Sequence, residues 1–540
     1  MSRTHIGSFG LTLGVLLLLS WGLPLLALSG GTWQSGVATL ASIGCDSWTI
    51  SSLLVALGTS LACLVVGAAM LYLIESSPIQ SQWRWLAILC VPLAIPPYLL
   101  GLAWAPLLSP VGLVVQPVAG GCALPPARSV LSVIVVLTGS YYPIALLALR
   151  AVRSAWHVTY DEAASVSGLG NVAQIRLRAR WYWPSAAGAF ALIALLVLGE
   201  FAVADYYGVR TLAAGIFAVF ASYQDPRAVT SLLIPLAVAA VVLVVVASAA
   251  FRRTQMRLSM SRDAEVSNCA GESRRAVSSA RENGAVAALL GFVAVTLVVP
   301  MYLLLSSLGT AAIDSLAGVW KVARSDLTTS IWLAAAVSVL TLPLALAIAA
   351  ASAYARSSWE HLPRVIAWIA FLTPPSLWGL GALVMQSKLP LGTWITGSAM
   401  ALILGMILRS LALGAEILSA KMIRVPRNYL EAAAVSGLPR WQALRVGVWK
   451  PIRTTCWSAL VLVWVWVLGD ITLTVLVAPP GTSTLMLRIF QSVHYGPAQW
   501  LAALTSWHLA MTAAGIAVAL LLFRRSSPMS LDRPPHVAVG

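Results

Sequence analysis

Charged residues are scarce in this sequence. They make up 10% of its 540 residues, whereas about a quarter is usual in a soluble domain. Hydrophobic residues make up 59%. So little charge cannot cover the surface of an ordinary globular domain, and the composition therefore predicts a protein embedded in a membrane.

The sequence also lacks the short motifs of several enzyme classes. It contains no G-x-x-x-x-G-K-[ST] loop, so the chain does not bind and hydrolyse ATP by that device. It contains no H-E-x-x-H, G-x-S-x-G or paired-histidine spacing, which leaves an intramembrane enzyme without support. We expect a non-enzymatic chain with no catalytic residue, no cofactor and no resident metal.

Cysteine is rare, and its spacing is uninformative. The six cysteines form no C-x-x-C pair and have no neighbouring histidine, which argues against a metal site. Cys45 and Cys122 both fall in predicted outer loops, where a disulfide is chemically feasible. Their pairing is left open.

Long apolar segments are abundant. A helix needs about 20 apolar residues to cross a bilayer core, and twelve segments of that kind occur. They lie near residues 9–29, 52–74, 85–108, 130–151, 186–206, 230–251, 285–306, 328–354, 365–387, 396–419, 455–478 and 500–523. Many segments of similar length follow the first one, and no small-x-small cleavage site is obvious after it, so we interpret it as a retained helix rather than a secretory signal.

The segments divide into six and six around a polar stretch. Residues 252–284 carry seven arginines and several serines with almost no apolar periodicity, as in an exposed linker. The predicted domains are a first six-helix repeat (1–251), this cytoplasmic linker, a second six-helix repeat (285–523) and a cytoplasmic tail (524–540).

The basic residues indicate the orientation. Lys and Arg accumulate in cytoplasmic loops, and most of the 34 fall on one side if both termini are cytoplasmic. The net charge of +16 is then a signal of topology, and we expect no nucleic-acid partner.

An internal repeat spans the two halves. The segment Y-D-E-A-A-S-V-S-G-L (160–169) matches Y-L-E-A-A-A-V-S-G-L (429–438) at eight of ten positions, with an offset of 269 residues. Other matched pairs follow at similar offsets: Pro96-Pro97 with Pro374-Pro375, Gly199-Glu200 with Gly469-Asp470, and Ile216-Phe217 with Ile489-Phe490. Because each half has an even number of spans, the copies should share one orientation and be related by an axis along the membrane normal.

The repeated segment lies between the fourth and fifth span of each half. Thr159 precedes Glu162 by three residues, and Asn428 precedes Glu431 likewise, which is close to the capping-box arrangement that begins a helix. Gly168 and Gly437 follow, where a residue without Cβ can end a helix in a left-handed conformation. Matched exposed helices in both halves suggest two equivalent partner subunits.

These loops resemble the EAA motif of ABC-importer permeases, E-A-A-x-x-x-G with a later Pro. The matching residues are Glu162, Ala163, Ala164, Gly168 and Pro184 in the first copy, and Glu431, Ala432, Ala433, Gly437 and Pro451 in the second. The Gly-to-Pro spacing, 16 and 14 residues, is longer than is usual in the family. The resemblance implies that each loop docks as a coupling helix on an ATPase subunit.

The layout most resembles the fused twelve-helix permeases of the iron(III) and thiamine group, whose L-G-E-F segment is similar to residues 198–201. This resemblance implies an all-α type I permease fold in a bacterial inner membrane. The implied partners are an ABC ATPase homodimer and a periplasmic or lipid-anchored solute-binding protein. The implied substrate is iron(III). Thiamine, polyamine or oxyanion import is the alternative.

A secondary transporter of the major-facilitator type also has six plus six spans. Its basic motif lies between the second and third spans, but here residues 76–83 of that connection carry no charge. The repeated signal lies between the fourth and fifth spans instead, which favours the ABC importer.

Ionisable groups at membrane depth are candidates for a pathway. Glu200 and Asp470 occupy equivalent positions and either line a shared cavity or are neutralised locally at a helix break. Arg409 and Glu416, seven residues apart on one helix face, are expected to make an ion pair or another contact within the bundle. Pro96-Pro97 and Pro374-Pro375 should break the third and ninth helices, as pathway or gate residues.

Overall fold

The computed structural model describes residues 45–78, 82–108, 126–154, 156, 163–164, 166–168, 170–223, 230–265, 279–353, 362–388, 399–423, 425, 442 and 449–526. Every regular element in these ranges is helical. The predicted first span (9–29), most of the tail and Cys122 lie outside them, so the first span and the disulfide stay predictions.

The first half contributes eight α-helices to the described part. They are α1 (Cys45–Ser76), α2 (Gln82–Leu89), α3 (Pro97–Leu108), α4 (Pro126–Ser154), α5 (Asn171–Leu198), α6 (Ala202–Tyr206), α7 (Leu212–Tyr223) and α8 (Thr230–Glu265). A 3-10 turn, Val91–Ala94, lies between α2 and α3.

Among the described residues, the second half contributes ten α-helices, of which those from α11 onward repeat this series. Its helices are α9 (Ser279–Val293), α10 (Val299–Ser306), α11 (Ala312–Ala353), α12 (Leu362–Leu372), α13 (Pro375–Lys388), α14 (Ala399–Met422), α15 (Lys450–Leu468), α16 (Thr472–Val477), α17 (Leu485–Tyr495) and α18 (Ala498–Ser526). A π-helical turn, Ala294–Val298, makes α9 and α10 continuous.

Most of the predicted spans are helices of membrane-crossing length. Within the described ranges, nine helices are long and apolar enough to cross a bilayer, and two bent pairs reach that length when each pair is taken together. Each of these overlaps one predicted span. The fold is therefore an all-α polytopic membrane protein, as predicted, while the full count of twelve stays a prediction.

The polar stretch between the halves is helical at both ends. Helix α8 continues to Glu265, and α9 begins at Ser279, so helix extends into residues 252–284 from either side. Residues 266–278 lie outside the described part. The division into two repeats and a linker stays a prediction.

The two double-proline sites break their helices, as predicted. The arms on either side of Pro96 meet at 93°, and those on either side of Pro374 meet at 88°. Proline lacks an N–H and its ring clashes with the preceding turn, so a helix ends there. The right angle is sharper than a kink and carries α3 and α13 away from the direction of α2 and α12.

Hydrogen bonds also follow the repeat. The Leu212 N–H at the start of α7 donates to Ser52 Oγ at 2.7 Å. At the start of α17, the Leu485 N–H donates to Ser330 Oγ at 2.8 Å. In each half, a short helix (α7 or α17) is thus attached to the corresponding long helix (α1 or α11).

Small residues bring the helices together. Helices α1 and α4 pack closely at Gly67, where an added Cβ would lie 2.8 Å from the Leu146 nitrogen and 2.9 Å from the Ala145 Cβ. Packing of this kind replaces the hydrophobic driving force that is weak between helices in lipid.

Gly67→Ala should destabilise the protein, because its methyl group would meet backbone that cannot shift alone. Overpacking of this kind costs about 1–3 kcal/mol. Thermal unfolding in detergent should show a lower midpoint for this variant. Gly291→Ala in α9 is the matched control, since nothing lies within 4 Å of an added Cβ there. Equal midpoints for both variants would contradict close packing at Gly67.

Candidate functional site

Glu200 and Asp470 lie at equivalent breaks in two helices. Helix α5 ends at Leu198 with Gly199 as its C-cap (φ −84°, ψ −9°), and α15 ends at Leu468 with Gly469 as its C-cap (φ −85°, ψ −1°). The predicted spans 186–206 and 455–478 are therefore not continuous helices. In each half the backbone then turns into a short helix, α6 or α16, and the carboxylate lies at this turn.

Each carboxylate accepts hydrogen bonds from the helix that follows it. Glu200 Oε1 accepts from the backbone N–H groups of Ala202 (3.2 Å) and Val203 (3.4 Å). Asp470 Oδ1 accepts from the Leu473 N–H at 3.0 Å. These bonds satisfy N–H groups that a helix start leaves without partners. The local hydrogen bonding that the sequence analysis weighed is present in both halves.

The breaks pack crosswise between the halves. An added Cβ at Gly469 would lie 2.6 Å from the Pro96 Cγ, and one at Gly199 would lie 3.0 Å from the Pro375 Cδ. The proline break of each half therefore rests on the glycine of the other half. The structure thus brings the predicted pathway residues of both halves together in one site.

Asp470 has a basic partner. Arg409 of α14 donates from Nη1 to Asp470 Oδ2 in an ion pair whose side chains are 17% and 8% exposed. The Arg409 Nε–H is buried and has no hydrogen-bond partner among the described residues. This pair explains how a carboxylate is held at membrane depth in the second half.

Glu200 has no such partner in the described part of the chain. Among the described residues it makes no ion pair, although Arg409 and Asp470 lie near enough to interact with it electrostatically. The first half offers no equivalent arginine, because no Lys or Arg occurs between Arg128 and Arg150 of α4. The site therefore holds two carboxylates and one guanidinium.

Glu416 and Arg409 each make an ion pair within the bundle, but not with each other. Arg364 of α12 donates from both Nε (2.6 Å) and Nη2 to the Glu416 carboxylate. Trp368 Nε1 adds a third hydrogen bond to Glu416 at 2.8 Å. Seven residues span about 10 Å along a helix, which places the two side chains next to different neighbours.

An aromatic cluster lies beside the breaks, and the sequence analysis did not find it. Phe201 contacts Phe217 and Phe490, with ring centroids 4.9 and 5.7 Å apart. Phe217 and Phe490 are 5.9 Å apart, and Phe490 also contacts Tyr98 at 5.8 Å. The repeated Ile-Phe pair was the available signal, but sequence alone does not show that its two copies meet.

The first repeated loop is described in part. Ala163 and Ala164 are helical, and the Ser167 N–H donates to the Ala163 carbonyl at 2.9 Å. Gly168 has φ +70°, a left-handed conformation that favours glycine. Glu162 and the second copy, Glu431, Ala432, Ala433 and Gly437, lie outside the described residues.

The described part of the chain is therefore an all-α integral membrane protein, with long apolar helices, two right-angled breaks and two halves that meet at charged helix ends. Residues 342–526 match the family model described as "Binding-protein-dependent transport system inner membrane component". These residues therefore resemble the permease components of binding-protein-dependent (ABC) importers, a family whose members work with an ATPase and a substrate-binding protein. No curated protein matches the chain.

Arg409→Met should be strongly destabilising, because it leaves the buried Asp470 carboxylate unpaired. Removing one member of a buried pair costs about 3–5 kcal/mol. The double variant Arg409→Met/Asp470→Asn should recover part of the loss, since the amide oxygen can still accept from Leu473. Arg364→Met is the matched control, and it should cost less because its pair is 21% and 28% exposed. Unfolding midpoints in detergent test the order, and equal losses for both arginines would contradict it.

Proposed function

We propose that the two halves of this chain together form the transmembrane pathway of a binding-protein-dependent importer. The crosswise packing of the breaks carries the proposal. Broken helices are tolerated at membrane depth where the backbone faces protein or a water-filled cavity. Here the breaks of both halves converge on one another, with ionisable groups between them. The pathway runs along the axis that relates the halves.

Energy comes from a separate ATPase homodimer that docks on the two repeated loops. The docking residues are Glu162, Ala163, Ala164 and Gly168 in one loop and Glu431, Ala432, Ala433 and Gly437 in the other. The left-handed Gly168 supports this role, because it ends a short helix that α5 follows directly. Val166 in that loop is 89% exposed, which leaves an apolar side chain for a partner.

The proposed location is a bacterial inner membrane, with both termini and both loops cytoplasmic. The positive-inside distribution of Lys and Arg supports this orientation. The substrate-binding protein then docks on the opposite, periplasmic face.

Iron(III) is the proposed substrate. The resemblance of the layout to iron(III) permeases suggests it, and the charge balance of the site is compatible with it. Two carboxylates against one guanidinium leave a negative excess, which is costly in a membrane and favours a positively charged cargo. Thiamine and polyamines are also cationic and remain alternatives, whereas an oxyanion is disfavoured by the same charge.

Loss of both loop glutamates should uncouple the permease from its ATPase. In the purified complex, Glu162→Ala/Glu431→Ala should lose ATPase stimulation by the loaded binding protein, or lose the ATPase subunit itself, while its unfolding midpoint stays unchanged. Glu282→Ala is the control, an acidic residue on the same predicted side of the membrane but outside both loops. Substrate transport without any ATPase would instead support a secondary transporter.

Glu200→Gln should lower the initial rate of iron(III) uptake several-fold, because it removes the negative excess while its amide oxygen still caps α6. Uptake of radiolabelled iron by vesicles that contain the complete complex measures the rate. Asp314→Asn, an exposed acidic residue of α11, is the control for loss of a carboxylate. If Glu200→Gln transports at the normal rate, Glu200 serves only to cap the helix.

A further inference from the structure

Two aromatic residues mark the axis between the halves. Phe217 of α7 and Phe490 of α17 are counterparts in the repeat, and their ring centroids are 5.9 Å apart with an interplanar angle of 85°. A residue and its counterpart can touch only where the axis that relates the two copies passes between them. Both rings therefore stand directly on the proposed pathway.

The aromatic contact is extended on both sides of the axis. Phe201, next to Glu200, contacts Phe217 and Phe490, and Tyr98, next to Pro97, contacts Phe490. Phe201 and Tyr98 are each 2% exposed, and Phe490 is buried as well. The rings thus form a continuous apolar layer that spans both halves beside the helix breaks.

A narrow cavity lies beside the layer, next to Phe201 and Phe217. Phe201, Phe217, Ser376, Thr472 and Leu476 are among the residues that line this cavity, which cannot hold a water molecule. The Ser376 hydroxyl in its wall has no hydrogen-bond partner among the described residues. An apolar constriction of this kind stops ions by excluding water.

We propose that Phe217, Phe490 and Phe201 form the closed gate of the pathway, and that α7 and α17 must separate for cargo to pass. This inference rests on the pathway proposed above. Each of the two helices is held at its first residue by a serine hydroxyl of a long helix, Ser52 or Ser330. Each therefore has a fixed end about which its Phe can move away from the axis.

A crosslink across the axis tests the gate. In a variant whose six native cysteines are replaced by serine, Phe217→Cys and Phe490→Cys should be joined by a short thiol crosslinker in the absence of ATP. The crosslink should abolish transport by the complete complex, and a reducible linker should restore transport on reduction. A crosslinked protein that transports normally would overturn the proposal.

The control pair is Phe371→Cys/Trp466→Cys. Its rings are a similar distance apart, 5.6 Å, but both residues belong to the second half. A crosslink there leaves the two halves free to separate and should preserve transport. Loss of transport in both pairs would show only that a crosslink rigidifies the protein, and the gate would then depend on the leak measurement below.

Opening the layer should create a leak that needs neither ATPase nor binding protein. Phe217→Ala/Phe490→Ala should raise potassium efflux from proteoliposomes above wild type, whereas Phe217→Leu/Phe490→Leu should stay closed because it keeps apolar bulk. Phe292→Ala, which removes a ring packed on Tyr142 away from the axis, controls for loss of an aromatic residue. A folded Ala pair that stays as tight as wild type would overturn the gate even if ATP-driven transport is confirmed.

Discussion

The fold depends on how interrupted helices are accommodated in a bilayer. Hydrocarbon offers no partner for a free N–H or C=O group, so a broken helix must be covered by protein or face an internal cavity. Here the chain breaks at Pro96 and Gly199 in one half and at Pro374 and Gly469 in the other. Each proline break covers the glycine break of the opposite half, within a distance that leaves no room for a Cβ at Gly469. Neither half can satisfy this constraint alone, which is why the two halves join at their least regular points.

The same breaks place the charges. A carboxylate at Glu200 or Asp470 satisfies the first N–H groups of the short helix that follows, so its presence has a local structural cause. That cause does not account for Arg409, which neutralises only one of the two acids. Local capping is symmetric, whereas charge compensation is not. Glu200 is thus distinguished from Asp470 by the lack of a basic partner among the described residues, and not by its position at a helix start, which the two acids share.

The sequence predicted the features that depend on local chemistry. Apolar length located the spans that fall within the described residues, the double prolines located two breaks, and the repeat identified Glu200 and Asp470 as counterparts. Contacts between distant segments could not be predicted in the same way. Nothing in the local sequence of Arg409 distinguishes Asp470, 61 residues away, as its partner rather than Glu416 on the same helix. The breaks at Gly199 and Gly469 were likewise absorbed into apolar spans, because composition alone does not register where a helix ends.

Symmetry in the repeat makes the departures from it informative. Tyr98 and Tyr206 pack edge to face near Phe490, and their counterparts near Phe217 are Ser376 and Leu476. The larger pair fills one side of the axis, and the smaller pair leaves the narrow cavity on the other. Arg409 is likewise present in one half only. Identical subunits could not differ in this way, since any substitution would appear on both sides. A single fused chain allows the two sides of the proposed pathway to differ, with bulky rings on one side, a narrow cavity on the other and an arginine partner for only one of the two described acids.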